Sequence, residues 1–240
     1  MKVCFDIVDW YAAAPGLSSE EEWMQWASAP AKISPLQALK KPHHLPMMMA
    51  RRLSTGSRLA VDAGLALLTQ FPVDAVVSTS RHGELERSFR ILQKLAYQES
   101  LSPTDFAMSV HNSVVGSLTI AARFPLTSTA ITAGKDSFQQ GLLEVFALLK
   151  DYRRVMLIDY DGSIPEFYLS RLSAGTPDFP YAVALILTSG RTCSCETVSA
   201  APMECTHMTL PQSLQFLHGW LSGCARFPVA GENVRWMWTC

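Results

Sequence analysis

The stretch Ser102–Phe146, SPTDFAMSVHNSVVGSLTIAARFPLTSTAITAGKDSFQQGLLEVF, decides how this chain of 240 residues folds. Thr127 to Ala133 alternates small and apolar residues as a buried strand does. From Lys135 to Lys150, Phe138, Leu142, Val145, Phe146 and Leu149 recur at helical spacing. Gly134 stands at the turn between strand and helix. Such a turn presents one residue at a helix N-terminus, where free backbone N–H groups and the helix dipole favour an anion or an attacking nucleophile. Here that residue has no side chain.

Outward from this unit, strand and helix patterns alternate. Val3 to Trp10 reads as a strand with Val3, Phe5 and Ile7 on one face. Ser19 followed by Glu20, Glu21 and Glu22 marks a helix start that carries Trp23 and Trp26. A proline-rich surface excursion spans 30–46, and a helix is expected over Met47 to Phe71, closed by Pro72. Val73 to Ser80 is a second strand. Glu84 to Glu99 is an amphipathic helix with Leu85, Phe89, Leu92 and Leu95 or Ala96 in one stripe. Asn112 to Arg123 is a helix whose Ser113, Gly116, Ser117 and Ala121 admit a close backbone. Beyond the central unit, Arg154 to Tyr160 and the apolar run Tyr181 to Thr188 read as strands. After Gly190 the pattern weakens to a helix over Leu210 to Cys224 and a half-buried strand over Val234 to Thr239. This order predicts an α/β protein, a layered sheet with helices on its faces, and it contains no internal repeat.

A hydrophobic content of 48% suits a large interior, best read as a single domain over 1–240. A formal net charge of −1 gives no electrostatic reason to expect a nucleic acid or an anionic membrane as partner. Asp6 and Asp9 interrupt the first apolar run, which therefore reads as neither a secretory segment nor a membrane span, and a cytoplasmic protein is expected. Six cysteines are then expected to stay reduced. Cys193, Cys195, Cys205 and His207 are ligand types that zinc prefers, but the C-x-C and C-x-H spacing lies in a Ser/Thr/Ala-rich segment, and the expectation is no metal.

The central stretch also resembles a known family. Ser102-Pro103, then Ser109-Val110-His111-Asn112, then Gly116, then Thr132-Ala133 is similar to the ketosynthase half of thiolase-type condensing enzymes. The resemblance is most specific to the chain-length factors, the non-catalytic halves of ketosynthase heterodimers, in their short aryl polyene form. It implies a thiolase-like layered fold, roughly one ketosynthase half with a short C-terminal addition. In the family Thr-Ala is followed by the cysteine that carries the acyl thioester, so Gly134 falls at the nucleophile position. The resemblance therefore implies no catalytic residue, no cofactor, and activity borrowed from a catalytic ketosynthase partner. None of His43, His44, His82, His207 or His218 sits in the context of the family's catalytic histidines. His111 belongs to the helix-start motif, where a buried, hydrogen-bonded structural role is expected.

The pairing implied by the resemblance aims the Val-His-Asn helix at the partner's acyl tunnel. Met108, Ser109, Asn112 and Ser113 would then line its far end, the alternative being that they pack within their own subunit. Contact with an acyl carrier protein is expected indirectly, through the partner. Lys40, Lys41, Arg51, Arg52 and Arg58 can guide such an acidic carrier, although basic residues on a loop and a helix start ordinarily serve solubility. Two rival readings remain at this stage. One is a stand-alone acyltransferase or hydrolase using Ser137, Lys135 or a cysteine outside the elbow, and the other is a structural scaffold for a ketosynthase. Asp136, beside Lys135, is expected in a solvated or interface pair.

Overall fold

A computed structural model describes residues 2–172, 176–199 and 210–240. In chain order its elements are β1 (Lys2–Ala13), α1 (Glu20–Ala27), α2 (Met47–Ala50), α3 (Thr55–Leu68), β2 (Ala75–Thr79), α4 (Leu85–Ala96), α5 (Pro103–Ala107) and α6 (Ser113–Ala122). There follow β3 (Thr127–Ile131), α7 (Ser137–Leu148), β4 (Val155–Asp161), α8 (Glu166–Leu169), β5 (Tyr181–Ser199), α9 (Gln212–Leu221), β6 (Arg226–Ala230) and β7 (Val234–Thr239).

The seven strands form one mixed sheet in the order β3-β2-β4-β5-β7-β6, with β1 also paired to β5. The three strands β3, β2 and β4 are parallel, and every other pairing is antiparallel. Side chains of β2 and β4 are buried on both sides, because a hydrophobic layer covers each face of the sheet. One layer gathers Trp23 of α1, Phe138 and Leu142 of α7, Phe216 of α9 and Trp236 and Trp238 of β7. The other packs Ala60, Ala63 and Leu67 of α3 and Val114 and Leu118 of α6 against Met156 and Ile158 of β4. The layered α/β arrangement is thus the one that the alternation of patterns predicts.

Local chemistry explains where the expected elements hold and where they shift. Ser19 caps α1 in a capping box, its hydroxyl accepting from the Glu22 N–H while the Glu22 carboxylate accepts from the Ser19 N–H at 3.0 Å. The helix expected over Met47 to Phe71 is instead two. Ser54 adopts an extended backbone and its hydroxyl accepts from the Ser57 N–H at 3.4 Å, so α3 starts afresh after the short α2. Helix α4 forms where expected, but its apolar stripe does not enter the core, leaving Leu92 54% and Leu95 52% exposed. Only Arg87 of this helix is buried.

The segment after Gly190 is the largest departure. Strand β5 continues through Ser199, paired to β1 on one side and to β7 on the other. Its Cys193 and Cys195 point into the core, and Cys193 is disulfide-bonded to Cys240. That bond corrects the expectation of reduced thiols for these two residues. The register places Ser194 opposite Thr239, which sets the neighbouring cysteines side by side at the end of the ladder. Strand β6, absent from the sequence reading, pairs with β7 and contributes buried Phe227 and Val229. Among the described residues no helix is long and apolar enough to cross a membrane.

Candidate functional site

Parallel strands end on a common side of a sheet, and ligand sites of α/β folds gather there. In this chain β2, β3 and β4 deliver Ser80, Thr132-Ala133-Gly134 and Asp161 to one edge. Thr132 donates its hydroxyl to the Ser80 carbonyl at 2.5 Å, which ties the end of β3 to the end of β2. A single 3-10 turn, Gly134–Asp136, then leads into α7. Gly134 has φ +60°, the left-handed region that glycine enters without steric cost. A β-carbon at this position would meet no atom within 4 Å, so the space for a side chain is open.

Around this turn lies a cavity of about 340 Å³. Its floor includes Asp159 and Asp161, two residues apart on β4 and both buried. Asp159 accepts from Thr79 Oγ1 at 2.6 Å, Ser213 Oγ at 2.5 Å and the Tyr181 hydroxyl at 3.1 Å. Asp161 accepts from Ser80 Oγ at 2.6 Å and from the backbone N–H of His82 at 2.8 Å. Burial pushes Asp159 up to about 6 against the hydroxyl donors that favour its ionised form, and burial likewise raises Asp161. Burial, then the Asp159 charge, holds Tyr181 well above the usual phenol range. His82 is lowered to about 4, first by burial and then by the Arg81 charge, so at neutral pH its imidazole is uncharged. Asp159, Asp161 and the Tyr181 hydroxyl were not singled out in the sequence, and His82 was weighed there only as a catalytic histidine. The signal present there was an i, i+2 pair of carboxylates closing the otherwise apolar run VMLIDYD.

The rival nucleophiles have other occupations. Ser137 is buried and its hydroxyl donates to the carbonyls of Gly134 at 2.8 Å and Ser80 at 3.3 Å while accepting from the Ala133 N–H at 3.0 Å. It pins the turn and has no side-chain base within hydrogen-bond reach among the described residues. Lys135 pairs with Glu232 at 3.5 Å on the surface. Asp136 accepts from Gln212 Nε2 at 2.7 Å, Trp236 Nε1 at 3.3 Å and the Glu232 N–H at 3.2 Å. It therefore fastens the C-terminal elements over the turn, a role that a merely solvated pair would not have.

Of the other candidates, Met108, Ser109, Asn112 and Ser113 do come together at the α5–α6 turn. Met108 leans on the α3/α6 core layer, Ser109 donates to the Phe106 carbonyl at 2.8 Å, and Asn112 is exposed at the start of α6. His111 is exposed rather than buried and makes no hydrogen bond among the described residues, because the turn carries it outward beside Gly83. Cys205 and His207 lie outside the described residues. Cys193 is held in its disulfide, and the thiol of Cys195, pushed up to about 12 by burial, faces Gln139 Oε1 at 3.6 Å. No group of three metal-binding side chains occurs among the described residues. Lys40 is paired with Glu22, Arg51 and Arg52 are exposed, and Arg58 is partly buried.

An elbow between a parallel strand and a helix, at the edge of a mixed sheet covered on both faces, defines a class. Residues 23–239 match the sequence profile of the beta-ketoacyl synthase N-terminal domain, and the chain belongs to that family, with its thiolase-like ketosynthase fold. A chain from the complex of the ketosynthase ApeO with its chain length factor ApeC, from Xenorhabdus doucetiae, is 55% identical. It superimposes with a TM-score of 0.95 over 99% of this chain and 100% of that one. The ishigamide ketosynthase/chain length factor shares the fold at 13% identity and TM-score 0.63, over 82% of this chain and 67% of that one. The AntDE:AntF assembly, a type II acyl-carrier protein in complex with its ketosynthase, shares it at 10% identity and TM-score 0.63, over 83% and 70%. No curated protein matches the chain.

Proposed function

We propose that this chain is a non-catalytic, chain-length-factor-like subunit that pairs with a catalytic ketosynthase and helps set the length of the acyl chain built there. The observation that carries the reading is Gly134. The strand, the turn, the hydroxyl clamp and the helix of a nucleophile elbow are all in place, and the side chain that would attack is missing from an open space. Nucleophilic acyl transfer needs an activatable side chain at that point, so the thioester must be held by a companion.

Of the three strands with a free side, β3, β6 and β1, the first two bear on pairing. Strand β6 has Pro228 in its middle, which blunts it against further strand addition. Strand β3, sequence TSTAI, carries neither proline nor charge. Exposed Ile120 and Phe124 precede it in the chain, and exposed Phe106 and Val110 come just before α6. An unguarded edge flanked by apolar side chains is the pattern of a buried subunit interface. In this reading the α5–α6 turn meets the partner, and Met108, Ser109, Asn112 and Ser113 close the far end of its tunnel. The 55% identical chain comes from a ketosynthase/chain length factor complex, and the aryl polyene type of pathway is the setting we infer for this one.

The test is to purify the chain alone and together with a co-expressed ketosynthase, then to assay condensation between acyl and malonyl carrier proteins. A stable complex is expected, with condensation only when the ketosynthase is present. Condensation by the lone chain, or a covalent adduct of it with an acyl-thioester probe, overturns the reading.

A further inference from the structure

We propose that the buried ion pair between Arg87 and Asp105 positions the α5–α6 turn and so sets the length at which the partner's acyl chain stops growing. The inference rests on the reading that this turn closes the far end of the partner's tunnel, and it adds two positioning residues that act through α5 rather than on the chain itself. Its first ground is how little else holds α5. Each of the five residues of this helix except Asp105 is exposed, Phe106 to 68%. So short a helix is not stable by itself, and its place is set by whatever ties it to the body of the protein. It has no buried apolar side chain to serve as that tie.

The second ground is the route by which Asp105 is anchored. Arg87 Nη1 donates to Asp105 Oδ1 at 2.6 Å, Nε donates to Glu84 Oε2 at 3.3 Å, and Nη2 donates to the Arg52 carbonyl at 2.9 Å. Glu84 is itself buried, and its Oε1 accepts from Ser54 Oγ at 2.9 Å and from the Ser57 hydroxyl. Ser54 caps α3, Ser57 lies in its first turn, and the side chains of α3 fill one core layer. The guanidinium is thus fixed through each of its nitrogens, and its rigid planar fork offers the Asp105 carboxylate one direction of approach. Arg90 reaches the same carboxylate only at 3.9 Å and from the surface, where an ion pair contributes little.

The third ground is what α5 carries. Its N-cap Ser102 accepts from the Asp105 N–H at 3.2 Å, and at its other end Ser109 donates to the Phe106 carbonyl at 2.8 Å, so the helix and the turn after it are joined. Met108 and Ser109 therefore follow α5, while Met108 leans on the α3/α6 core layer from above. An apolar pocket discriminates by about tenfold or more per methylene only while its wall stays in place. A wall free to retreat admits the next length of chain, and the Arg87–Asp105 bond is the fastening that holds it.

The experiment uses the complex of the chain with its co-expressed ketosynthase, supplied with acyl and malonyl carrier proteins, and reads product lengths by mass spectrometry at equal amounts of complex. Asp105 is the residue to vary, because its side chain is 24% exposed and the position tolerates water. Asp105→Ala is expected to raise the share of products longer than the main one by about tenfold. Asp105→Asn, which keeps one acceptor for Arg87, is expected to lie between, and Asp105→Glu to return most of the original distribution. Arg90→Ala is expected to leave it unchanged. Lower yield at unchanged lengths in both Asp105→Ala and Asp105→Asn marks a merely structural pair and overturns the proposal, as does an Arg90→Ala distribution equal to that of Asp105→Ala. Ser113→Phe, measured in parallel, separates this inference from the reading beneath it. Shorter products from Ser113→Phe with unchanged lengths from the Asp105 series overturn the positioning role alone, and unchanged lengths from both overturn the tunnel reading with it.

Discussion

The hydroxyl of Tyr181 lies 3.1 Å from Oδ2 of Asp159, so the first residue of antiparallel β5 is joined to a buried carboxylate of parallel β4. The same oxygen accepts from Ser213 of α9, which brings the C-terminal helix into the bond network beneath the elbow. The network is buried beneath the cavity, and because burial raises the Asp159 carboxyl its protonation is linked to stability.

Asp159 in the folded chain titrates at about 6, above the ordinary value of 3.8. The folded state thus holds the proton more tightly than the unfolded state. The stabilisation is complete below the unfolded value and is lost as pH rises through the folded one, a window of roughly pH 4 to 6. Urea midpoints are expected to fall across that window by the equivalent of about 3 kcal/mol. Asp159→Asn, which cannot ionise, should make the profile shallower there and leave the part contributed by Asp161, which burial also raises.

Gly134 admits a side chain in space but not in backbone. Gly134→Ala is expected to cost about 1 to 2 kcal/mol in thermal or urea unfolding, the ordinary cost of a left-handed L-residue, with the ketosynthase still bound. Gly141 of α7 makes the contrast, since a β-carbon there would come 2.3 Å from Thr79 Cγ2. Gly141→Val should overpack the interface between α7 and β2, with loss of about 1 to 3 kcal/mol or more.

Arg87 is buried between Glu84, Asp105 and the Arg52 carbonyl, with Nη1 2.6 Å from Asp105. Arg87→Ala leaves the Glu84 carboxylate buried without its cation, for which a loss of about 3 to 5 kcal/mol is expected. Lysine at this position should recover only part of it, because one ammonium cannot meet three acceptors spread as the guanidinium meets them. Paired denaturation curves of the two variants check both statements.

Edge strand β3 gives a test that leaves the core alone. Ser128 is exposed, and Ser128→Lys should change stability by no more than about 0.5 kcal/mol while abolishing co-purification with the ketosynthase. An unchanged complex would remove β3 from the pairing face.

Ser113 is partly exposed at the first turn of α6. If the α5–α6 turn closes the partner's tunnel, Ser113→Phe shortens the products seen by mass spectrometry without lowering the amount of complex. A scaffold that never meets the acyl chain would leave product length as it was.

The alternation of strand and helix, the cap at Ser19 and the glycine elbow were legible because each is written in a few neighbouring residues. A capping box spans four positions, and the periods of an apolar face repeat every two or 3.6. The stripe of α4 shows the limit of such patterns: Leu92 and Leu95 recur at the spacing of a buried face and yet stand exposed. Periodicity reports that one side is apolar and not which body covers it.

What the sequence by itself determined is therefore the layered α/β plan and the empty turn at Gly134. The tertiary structure alone decided that Asp159, Tyr181, Ser213 and Thr79 share one hydrogen-bond network, that Asp136 clasps Gln212 and Trp236, and that β5 runs on to bring Cys193 to Cys240. These partners lie from 22 to 100 positions apart in the chain. Local propensity carries no information about contacts at that separation. They form because burying the two core layers fixes the sheet order, and the sheet order then leaves each buried polar group those neighbours with which to bond.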